Sequence, residues 1–492
     1  MSGDFNMKVL AFDLGASSGR AILGIYENGK LQMEEIHRFS NDPVNVNGTI
    51  YWDILRLFYE IKTGLLKCVN SGHKDIESIA IDTWGVDFGL LDKDGKLLEN
   101  PVHYRDARCD GMMEKVFEII PKDEIYSSTG IQFVKLNTIF QLASLVQNRK
   151  ELLDRAETLL FTPDLLAYFL TGKMSVEYTI ASTSQLLNAE KRDWDYGLIE
   201  KLGINKSIFP QIRMPGTVTG QLLPEIAEEA GFDRPVDVIA CASHDTASAV
   251  VAAPIVKGEK SCYISCGTWS LLGAELDSPL INDQSFSENF TNEGGYAETI
   301  RFLKNISGLW LIQETRRQWN REGNDISFKD IDRMLETEVS ANVYINPDND
   351  AFSSPGNMPK RIEEYLAATN QPLPKTKGQQ ALCILESLAL TYRFYIENLE
   401  KLLGHRIDTI HLIGGGTKDE NLCRFTACAT KKRVTAGPVE ATALGNIAVQ
   451  LIAKGEIKDI DEARTLLGDV KEYLPKDAEL WEKKYADYMK VR

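Results

Sequence analysis

Residues 7–26 read MKVLAFDLGASSGRAILGIY, two apolar runs on either side of a turn of small residues, Gly15–Gly19. The second run stops before Asn28-Gly29, and Asn-Gly beside apolar runs is typical of a β-hairpin. We therefore predict two strands joined at Gly15–Gly19. The stretch lacks the Gly-Lys-Ser/Thr end of a P-loop and the Gly-x-Gly-x-x-Gly of a dinucleotide-binding turn. What remains is a hairpin whose backbone N–H groups can face an anion, with Asp13 at its mouth to hold a metal ion.

The pattern returns at residues 260–273, KSCYISCGTWSLLG, again two strand-like runs around a turn that contains glycine. The two hairpins lie just over half the chain apart. They suggest a duplicated domain with a phosphate chain clamped between the copies. Two unrelated hairpins would give the same spacing, so the spacing alone leaves both interpretations open.

Length and composition restrict the class of protein. A chain of 492 residues exceeds the size at which single cores stop growing, about 250–300 residues, so we expect two domains. A net charge of −16 argues against a nucleic acid or an anionic membrane as partner. Eight cysteines without a Cys-x-x-Cys pair, six scattered histidines and no secretory pattern at the start favour a cytoplasmic protein with reduced thiols over a zinc or disulfide protein. Charged residues interrupt the apolar pattern of residues 381–403, which predicts a buried helix and not a membrane span.

Periodicity and turn residues predict the order of elements along an α/β chain. The predicted strands are 31–39, 78–81, 89–91, 236–242 and 409–413. In the first half of the chain we predict a helix capped by Asp53, helices within 110–150 and 150–172, the latter with Thr162 as a cap, and a helix after residue 245. In the second half we predict a helix beginning within 305–313, a helix at 378–403, helices beginning at Asp419 and after Gly437, and a charged surface helix within 456–492. We predict a polar loop at 289–295 and a long excursion at 346–374.

Polar residues gather where the predicted strands end. Strand 78–81 runs into Asp82, Trp84, Gly85 and Asp87, and open α/β sheets bind ligands at such carboxyl ends. The two aspartates can equally be turn formers. The segment 103–108 that follows can line a cleft or form a surface loop.

Two further stretches each allow a structural and a functional interpretation. Asp245 follows strand 236–242 and can cap the next helix or act as a general base facing a cleft. His244 beside it is a turn residue or a hydrogen-bond partner for a substrate. Gly414–Gly416 allow a flat or phosphorylated ligand to approach the backbone, or simply make a tight turn.

Taken together, these stretches resemble sugar kinases of the FGGY type, which are built on the duplicated ATPase fold of actin and Hsp70. The resemblance covers residues 8 to about 450. It rests on 13–20 (DLGASSGR), 81–88 (IDTWGVDF), 242–249 (ASHDTASA), 265–271 (SCGTWSL), 304–305 (KN), 308–313 (GLWLIQ) and 437–441 (GPVEA).

The resemblance implies two actin-like (ribonuclease H-like) α/β ATPase domains, with residues 1–251 as the N-terminal and 252–492 as the C-terminal FGGY domain. The active site would lie in the cleft between them. The implied reaction is ATP-dependent phosphorylation of L-rhamnulose on its 1-hydroxyl, in rhamnose catabolism, with Mg²⁺. A kinase of another ketose, fuculose or xylulose, and a non-catalytic ATPase of the actin or Hsp70 kind are the alternatives. The implied partners are a ketose and ATP, with no nucleic acid and no membrane, in a monomer or small homo-oligomer.

The resemblance also assigns roles to residues of this chain. Asp245 would be the catalytic base and Asp13 would lie near Mg²⁺. The sugar would contact Gly85, His244, Asp245 and Thr246. The ATP phosphates would contact Ala16, Ser17, Ser18, Gly19 and Arg20. The nucleotide would contact Thr268, Asn305, Gln313 and Gly415. Cys423 and Cys428 are spaced differently from the cysteine pair of some relatives, so no disulfide is transferred; residues 296–300 also depart from the pattern.

Overall fold

The computed structural model describes residues 6–354, 356–466, 468 and 470–492. It divides into two units that each draw on separated segments of the chain. Unit 1 comprises the chain up to Ala252, Glu275–Phe302 and Ala441–Leu467, and unit 2 comprises Ala253–Ala274, Leu303–Glu440 and Gly468–Arg492. The predicted domains 1–251 and 252–492 divide the sequence into two continuous stretches, whereas the two units are defined by their contacts in space. The predicted domain bounds therefore remain a prediction.

Strands and helices alternate along the chain. The strands are β1 Met7–Leu14, β2 Ser18–Glu27, β3 Lys30–Ser40, β4 Val44–Val46, β5 Thr49–Tyr51, β6 Ser78–Thr83, β7 Phe88–Leu91, β8 Thr158–Phe161, β9 Val176–Glu177, β10 Leu187–Asn188, β11 Asp193–Trp194, β12 Ile212–Arg213, β13 Thr217–Gln221, β14 Asp237–Ala240, β15 Ser261–Cys266, β16 Trp269–Leu276, β17 Thr291–Gly294, β18 Ile300–Ser307, β19 Thr409–Ile413, β20 Arg433–Ala436 and β21 Lys471–Tyr473. The helices are α1 Ile54–Asn70, α2 Met112–Ile119, α3 Lys122–Thr129, α4 Thr138–Asn148, α5 Lys150–Leu153, α6 Thr162–Thr171, α7 Tyr178–Ser182, α8 Tyr196–Lys201, α9 Pro224–Ala230, α10 Asp245–Val251, α11 Asp283–Ser287, α12 Trp310–Arg321, α13 Phe328–Thr337, α14 Met358–Ala368, α15 Lys377–Leu403, α16 Glu420–Thr430, α17 Ala441–Ala453, α18 Ile460–Thr465 and α19 Ala478–Tyr488.

The main sheet of unit 1 has the strand order β13-β14-β6-β1-β2-β3. The predicted hairpin is confirmed: β1 and β2 pair antiparallel with Asp13 opposite Arg20. Strands β14, β6 and β1 run parallel, so their carboxyl ends lie at one edge of the sheet. Alternate side chains of β1 enter different cores, because successive residues of a strand point to opposite faces: Leu10 and Phe12 lie in the core that contains α1, and Val9 and Ala11 lie in the core that contains α17.

Helices α10 and α17 approach each other closely within unit 1. A Cβ added at Gly445 of α17 would lie 1.7 Å from the backbone carbonyl oxygen of Ser248 in α10. The small residues that follow Asp245 permit this approach, as predicted for a tightly packed helix.

A second sheet has the order β17-β18-β16-β15-β19-β20-β21, and unit 2 contains β15, β19, β20, β21 and most of β16 and β18. The second predicted hairpin is β15–β16. In both sheets an antiparallel hairpin is followed by two parallel neighbours, β2-β1-β6-β14 in one and β16-β15-β19-β20 in the other. This shared order supports duplication over two unrelated hairpins.

Several predicted elements are confirmed at nearly their predicted bounds. Strand β3, helix α15 and the sequence from β19 to α16 lie where periodicity placed them. Asp53 caps α1, since its side chain accepts a hydrogen bond from the backbone N–H of Arg56 at 3.1 Å. Within the described part of the chain, no helix is long and apolar enough to cross a bilayer. All eight cysteines are buried and free, Cys423 and Cys428 included.

Other predictions are wrong where pairing or packing overrides local pattern. The segment 150–172 contains a strand, β8, before α6, and α6 has Phe161 and not Thr162 at its cap position. The polar segment 289–295 is not a loop, because Thr291–Gly294 form β17. Asn305 itself lies on β18, whereas the helix predicted to begin within 305–313 is confirmed and starts at Trp310.

The segments 346–374 and 456–492 also differ from their predictions. The first contains a helix, α14, inside what looked like an excursion. The second contains a strand, β21, and α19 buries Trp481 and Tyr488. Its charged residues therefore do not make this segment a purely surface helix.

Candidate active site

The turn of the first hairpin presents small residues next to a charged pair. Ala16 and Ser17 are exposed at its tip. An Asn41 backbone N–H donates to the Ser17 carbonyl at 3.1 Å, and the Asn41 side chain donates to the Gly15 carbonyl at 2.9 Å. Arg20 forms an ion pair with the Asp13 carboxylate, at 2.5 Å between Nη2 and Oδ2. The hydrogen bonds from Asn41 therefore fix the backbone of the turn, while the residues at its tip stay exposed to solvent.

Three carboxylates lie at the carboxyl ends of adjacent parallel strands of unit 1. Asp13 ends β1, Asp82 is its register partner on β6, and Asp245 follows β14. Burial raises the pKa of the Asp82 carboxyl far above its usual range, and the negative charges of Asp13 and Asp245 raise it further. The three groups are thus close enough to interact electrostatically, in the place where open α/β sheets bind ligands.

Asp82 is fully buried and is reached by polar side chains of the otherwise apolar helix α17. Asn446 Nδ2 donates to Asp82 Oδ2 at 2.6 Å, and Gln450 Nε2 donates to Asn446 Oδ1 at 2.8 Å. Ser78 at the start of β6 donates to Gln450 Oε1 at 2.8 Å. Asp82 Oδ1 has no hydrogen-bond partner among the described residues. An unpaired buried carboxylate oxygen is costly, and a ligand at this edge would satisfy it. Asp82 is therefore more than a turn former.

Asp245 is the first residue of α10, and the interpretation of it as a helix cap is wrong. The cap position belongs to His244, whose side chain makes no capping hydrogen bond. Asp245 Oδ1 instead accepts from the Thr246 hydroxyl at 3.0 Å and lies 3.5 Å from His244 Nε2. Its side chain is 30% exposed, so the carboxylate can be reached by a small molecule. This arrangement leaves the general-base interpretation standing.

Buried groups fix the backbone of the loop before Asp245. The Ser243 N–H donates to Glu177 Oε2 at 3.2 Å, and the His244 N–H donates to the Thr179 hydroxyl at 3.2 Å. Burial raises the pKa of Glu177 to about 7, although four donors favour its ionised form. The loop is thereby held at both of the residues that precede the candidate base.

Asp87 organises an aromatic cluster beside Gly85. Its Oδ2 accepts from the indole N–H groups of Trp52 and Trp84, at 2.6 and 3.0 Å. Burial nonetheless raises the pKa of Asp87 to about 6. A Cβ added at Gly85 would lie 3.1 Å from a Thr183 methyl group, so the residue is confined.

The segment 103–108 extends this cluster and is not a surface loop. His103 and Tyr104 are buried, and the ring centroids of His103 and Trp52 are 4.2 Å apart. Burial raises the pKa of the Tyr104 phenol, and the charges of Asp87 and Asp245 add to the shift. Asp87 and Asp245 are thus both close enough to the Tyr104 phenol to influence its pKa.

The predicted nucleotide contacts form a second group, in unit 2. The Thr268 hydroxyl lies 3.4 Å from Gln313 Oε1 as a weak donor. The Thr268 carbonyl accepts from the Trp310 N–H at 3.2 Å, which ties the start of α12 to the β15–β16 turn. Apart from the residues next to it in the chain, no described residue has an atom within 4 Å of a Cβ added at Gly415, which leaves open space there. Asn305 lies half-buried on β18.

Sequence reasoning missed the groups that support this site from a distance. Asn446 and Gln450 stand four residues apart in an apolar helix, and that polar pair is a signal that could have been read. Glu177 caps α7 by accepting from the Thr179 and Ile180 N–H groups, but its contact with Ser243 comes from another segment, so no local signal indicates its support of the loop before Asp245.

Comparison with known proteins identifies the family of the chain. The model of the FGGY family of carbohydrate kinases, N-terminal domain, matches residues 8–252, and that of the C-terminal domain matches residues 262–454. A rhamnulokinase of Oceanobacillus iheyensis is 46% identical over 93% of this chain and 96% of its own. A rhamnulokinase of Bacteroides thetaiotaomicron is 44% identical over 97% of this chain and 98% of its own.

Solved structures share the fold at low sequence identity. Gluconate kinase from Lactobacillus acidophilus superposes with a TM-score of 0.82 at 18% identity, covering 99% of this chain and 98% of that one. Plasmodium falciparum glycerol kinase with ADP gives a TM-score of 0.80 at 16% identity, with the same coverage of both chains. The predicted two-domain α/β fold and the predicted family are confirmed. With family matches over most of its length, the chain belongs to the FGGY family of carbohydrate kinases.

Proposed function

We propose that this chain transfers the γ-phosphoryl group of ATP to the 1-hydroxyl of L-rhamnulose, giving L-rhamnulose 1-phosphate and ADP. The substrate follows from relatives named rhamnulokinase that are 41–46% identical over 93–97% of the chain. The observation that carries the chemistry is the position of Asp245. Its carboxylate is accessible, is not used for capping, and lies at the edge where three parallel strands end.

In the proposed mechanism Asp245 acts as general base. The O–H bond of the sugar hydroxyl breaks and its proton passes to the Asp245 carboxylate. The hydroxyl oxygen bonds to the γ-phosphorus, and the bond from that phosphorus to the β–γ bridging oxygen breaks, leaving the electron pair on ADP. Phosphoryl transfer depends mainly on positioning and charge neutralisation, so the rest of the site has to orient the two substrates.

The residues that orient the substrates are proposed from the family resemblance and from their placement. Gly85, His244 and Thr246 would contact the sugar beside the aromatic cluster. Ala16, Ser17, Ser18, Gly19 and Arg20 would face the phosphates of ATP. Thr268, Asn305, Gln313 and Gly415 would contact the nucleotide. We likewise propose 1–251 and 252–492 as the two FGGY domains, which the family matches at 8–252 and 262–454 support.

The carboxylates of unit 1 fit a magnesium ion. Among the described residues no three acidic, histidine or cysteine side chains are close enough to bind one metal directly. Mg²⁺ suits such a place, because it keeps several waters and usually binds through one or two carboxylates and the substrate phosphates. Asp13, which forms an ion pair with Arg20, would hold the ion, and the buried Asp82 Oδ1, which has no hydrogen-bond partner among the described residues, would pair with a group bound to the ion. When bound, Mg²⁺ would neutralise charge on the phosphates.

Sugar-dependent ADP release tests the proposal. With ATP and Mg²⁺, release should be fastest with L-rhamnulose, slower with fuculose or xylulose, and near the sugar-free background with glycerol, gluconate or aldoses. Fastest release with fuculose or xylulose would make the protein a kinase of that ketose. Fastest release with glycerol or an aldose would contradict a ketose substrate, and release that no sugar accelerates would indicate an ATPase without sugar kinase activity.

A further inference from the structure

His244 lies between the candidate base and a buried ion pair, all within unit 1. Its Nε2 is 3.5 Å from Asp245 Oδ1. On the other side of the ring, Nδ1 is 3.1 Å from Arg301 Nη2 and 3.3 Å from Glu293 Oε2. Arg301 Nη2 and Glu293 Oε2 are themselves 3.1 Å apart. Nδ1 of His244 therefore has two charged neighbours, Arg301 and Glu293, while Nε2 faces Asp245.

Arg301 is held rigidly in this position. It stands on β18 with a side chain that is 0% exposed, and its Nε donates to the Gly294 carbonyl at 2.8 Å. The N–H of Gly294 donates to the Ser182 hydroxyl at 2.8 Å, which fixes the backbone to which Arg301 is bound. A buried guanidinium needs a partner charge, and Glu293 supplies it.

The charge of Arg301 decides which nitrogen of His244 carries the hydrogen. A guanidinium stays protonated and can only donate hydrogen bonds, so Nδ1 of His244 must accept from it. The hydrogen of the neutral ring then lies on Nε2, which faces Asp245. The other tautomer would place its Nδ1–H towards the guanidinium and turn the Nε2 lone pair towards the Asp245 carboxylate. Arg301 and Asp245 therefore favour the Nε2–H form, and Glu293 Oε2, 3.3 Å from Nδ1, is the one neighbour among the described residues that would accept a hydrogen from that nitrogen.

We propose that Arg301, anchored by Glu293, is a positioning residue that fixes His244 as the Nε2–H tautomer, so that this N–H holds Asp245 Oδ1 in one orientation. The inference rests on the proposed role of Asp245 as general base. Arg301 and Glu293 touch neither the sugar nor the phosphates in this scheme; they act through the histidine ring. At 3.5 Å the contact between Nε2 and Asp245 Oδ1 is electrostatic, and a hydrogen on the facing nitrogen favours one orientation of the carboxylate that receives the proton of the sugar hydroxyl.

The tautomer can be measured directly, without any substrate. Protein labelled with ¹⁵N-histidine gives ring signals whose shifts distinguish a protonated from an unprotonated nitrogen. The His244→Asn variant identifies the His244 signals among those of six histidines. We expect a protonated Nε2 and an unprotonated Nδ1 near neutral pH. A hydrogen on Nδ1 would overturn the proposal, because that nitrogen would then donate to Glu293 and not accept from Arg301.

An activity measurement tests the consequence of the tautomer. Arg301→Met removes the donor at similar side-chain length, and we expect kcat to fall by about tenfold to a hundredfold, the effect of losing a charged hydrogen bond. The ring signals of His244 should shift towards a mixture of tautomers. A folded Arg301→Met enzyme with the wild-type kcat and an unchanged ring would overturn the proposal.

Arg464→Met is the matched control. The Arg464 side chain is 8% exposed, pairs with Glu275 at 2.8 Å and donates to carbonyls of the last turn of α10, so its loss should loosen the helix that Asp245 begins. It should lower the thermal midpoint and leave kcat unchanged; an equal loss of kcat in both variants would mean that Arg301 is only structural. If Arg301→Met does not fold, the proposal is tested by the His244 tautomer measured in the wild-type protein. If the wild type releases no ADP with any sugar, the proposed function fails, while the ring signals still report on the positioning of His244.

Discussion

Replacing Asp245 separates catalysis from stability, because the structure shows what the side chain contributes to each. Asp245→Asn keeps an oxygen that can accept from the Thr246 hydroxyl but loses the proton acceptor. Asp245→Ala loses both. A general base typically contributes about 10²–10⁴-fold to the rate, so kcat should fall by that factor in both variants.

The expected cost in stability is small. Asp245→Ala removes one hydrogen bond, 3.0 Å long, from a side chain that is 30% exposed, which corresponds to about 1 kcal/mol or less. It also removes a negative charge that acts on the buried Asp82, which offsets part of that cost. The thermal midpoint should therefore shift by no more than about 2–4 °C.

The assay is sugar-dependent ADP release together with thermal unfolding, and Asp195→Ala is the control. Asp195 does cap a helix, α8, by accepting from the Leu198 N–H at 3.0 Å. Its loss should cost about 0.5–2 kcal/mol while kcat stays unchanged. A stable, fully active Asp245→Asn enzyme would refute the general-base assignment, and an Asp245→Ala variant much less stable than Asp195→Ala would revive the capping role.

The remaining predictions concern the metal, helix packing and pH. Asp13→Asn should lower turnover strongly, and added Mg²⁺ should restore part of it; wild-type turnover at limiting Mg²⁺ would count against the assignment. Gly445→Ala should lower the thermal midpoint markedly, because its Cβ would meet a backbone carbonyl of α10, whereas Gly415→Ala should not. A hydrogen bond from His411, 3.0 Å away, lowers the pKa of Glu259 from 4.5 to about 2. The pair therefore stabilises the folded state above about pH 4.5, and this stabilisation is lost as the pH falls towards 2. His411→Gln should reduce the decline of the thermal midpoint between pH 5 and pH 3; an unchanged decline would show that the pair does not contribute.

Local patterns predicted the elements that carry the site. The hairpin of β1 and β2, the strand ends at Asp82 and Asp245 and the glycine turn after β19 all follow from apolar runs that stop at polar or small residues. These signals are read within about ten residues of sequence, so no tertiary information is needed to find them. The resemblance to the family added the roles of the residues but not their contacts.

What could not be predicted depends on contacts between distant segments. The strand Thr291–Gly294 has a polar sequence and forms through its pairing in the sheet, which overrides local propensity. Asn446 reaches Asp82 across 364 residues of sequence, and Arg301 reaches His244 across 57. Nor does the sequence alone distinguish a catalytic base from a helix cap at Asp245, because an aspartate at the start of a helix can have either role.

The interleaving of the two units constrains how the chain can fold during synthesis. Helix α17, which covers the Val9 and Ala11 face of β1, is made about 430 residues after that strand. Until then this apolar face of the central sheet in unit 1 is covered only by α10 and lacks α17, so a ribosome-bound or truncated chain ending near Ala252 should expose hydrophobic surface and bind chaperones. For the same reason, the two halves of the sequence cannot be exchanged between relatives as independent cassettes, since an exchange at that point would pair the sheet of one protein with the covering helix of another.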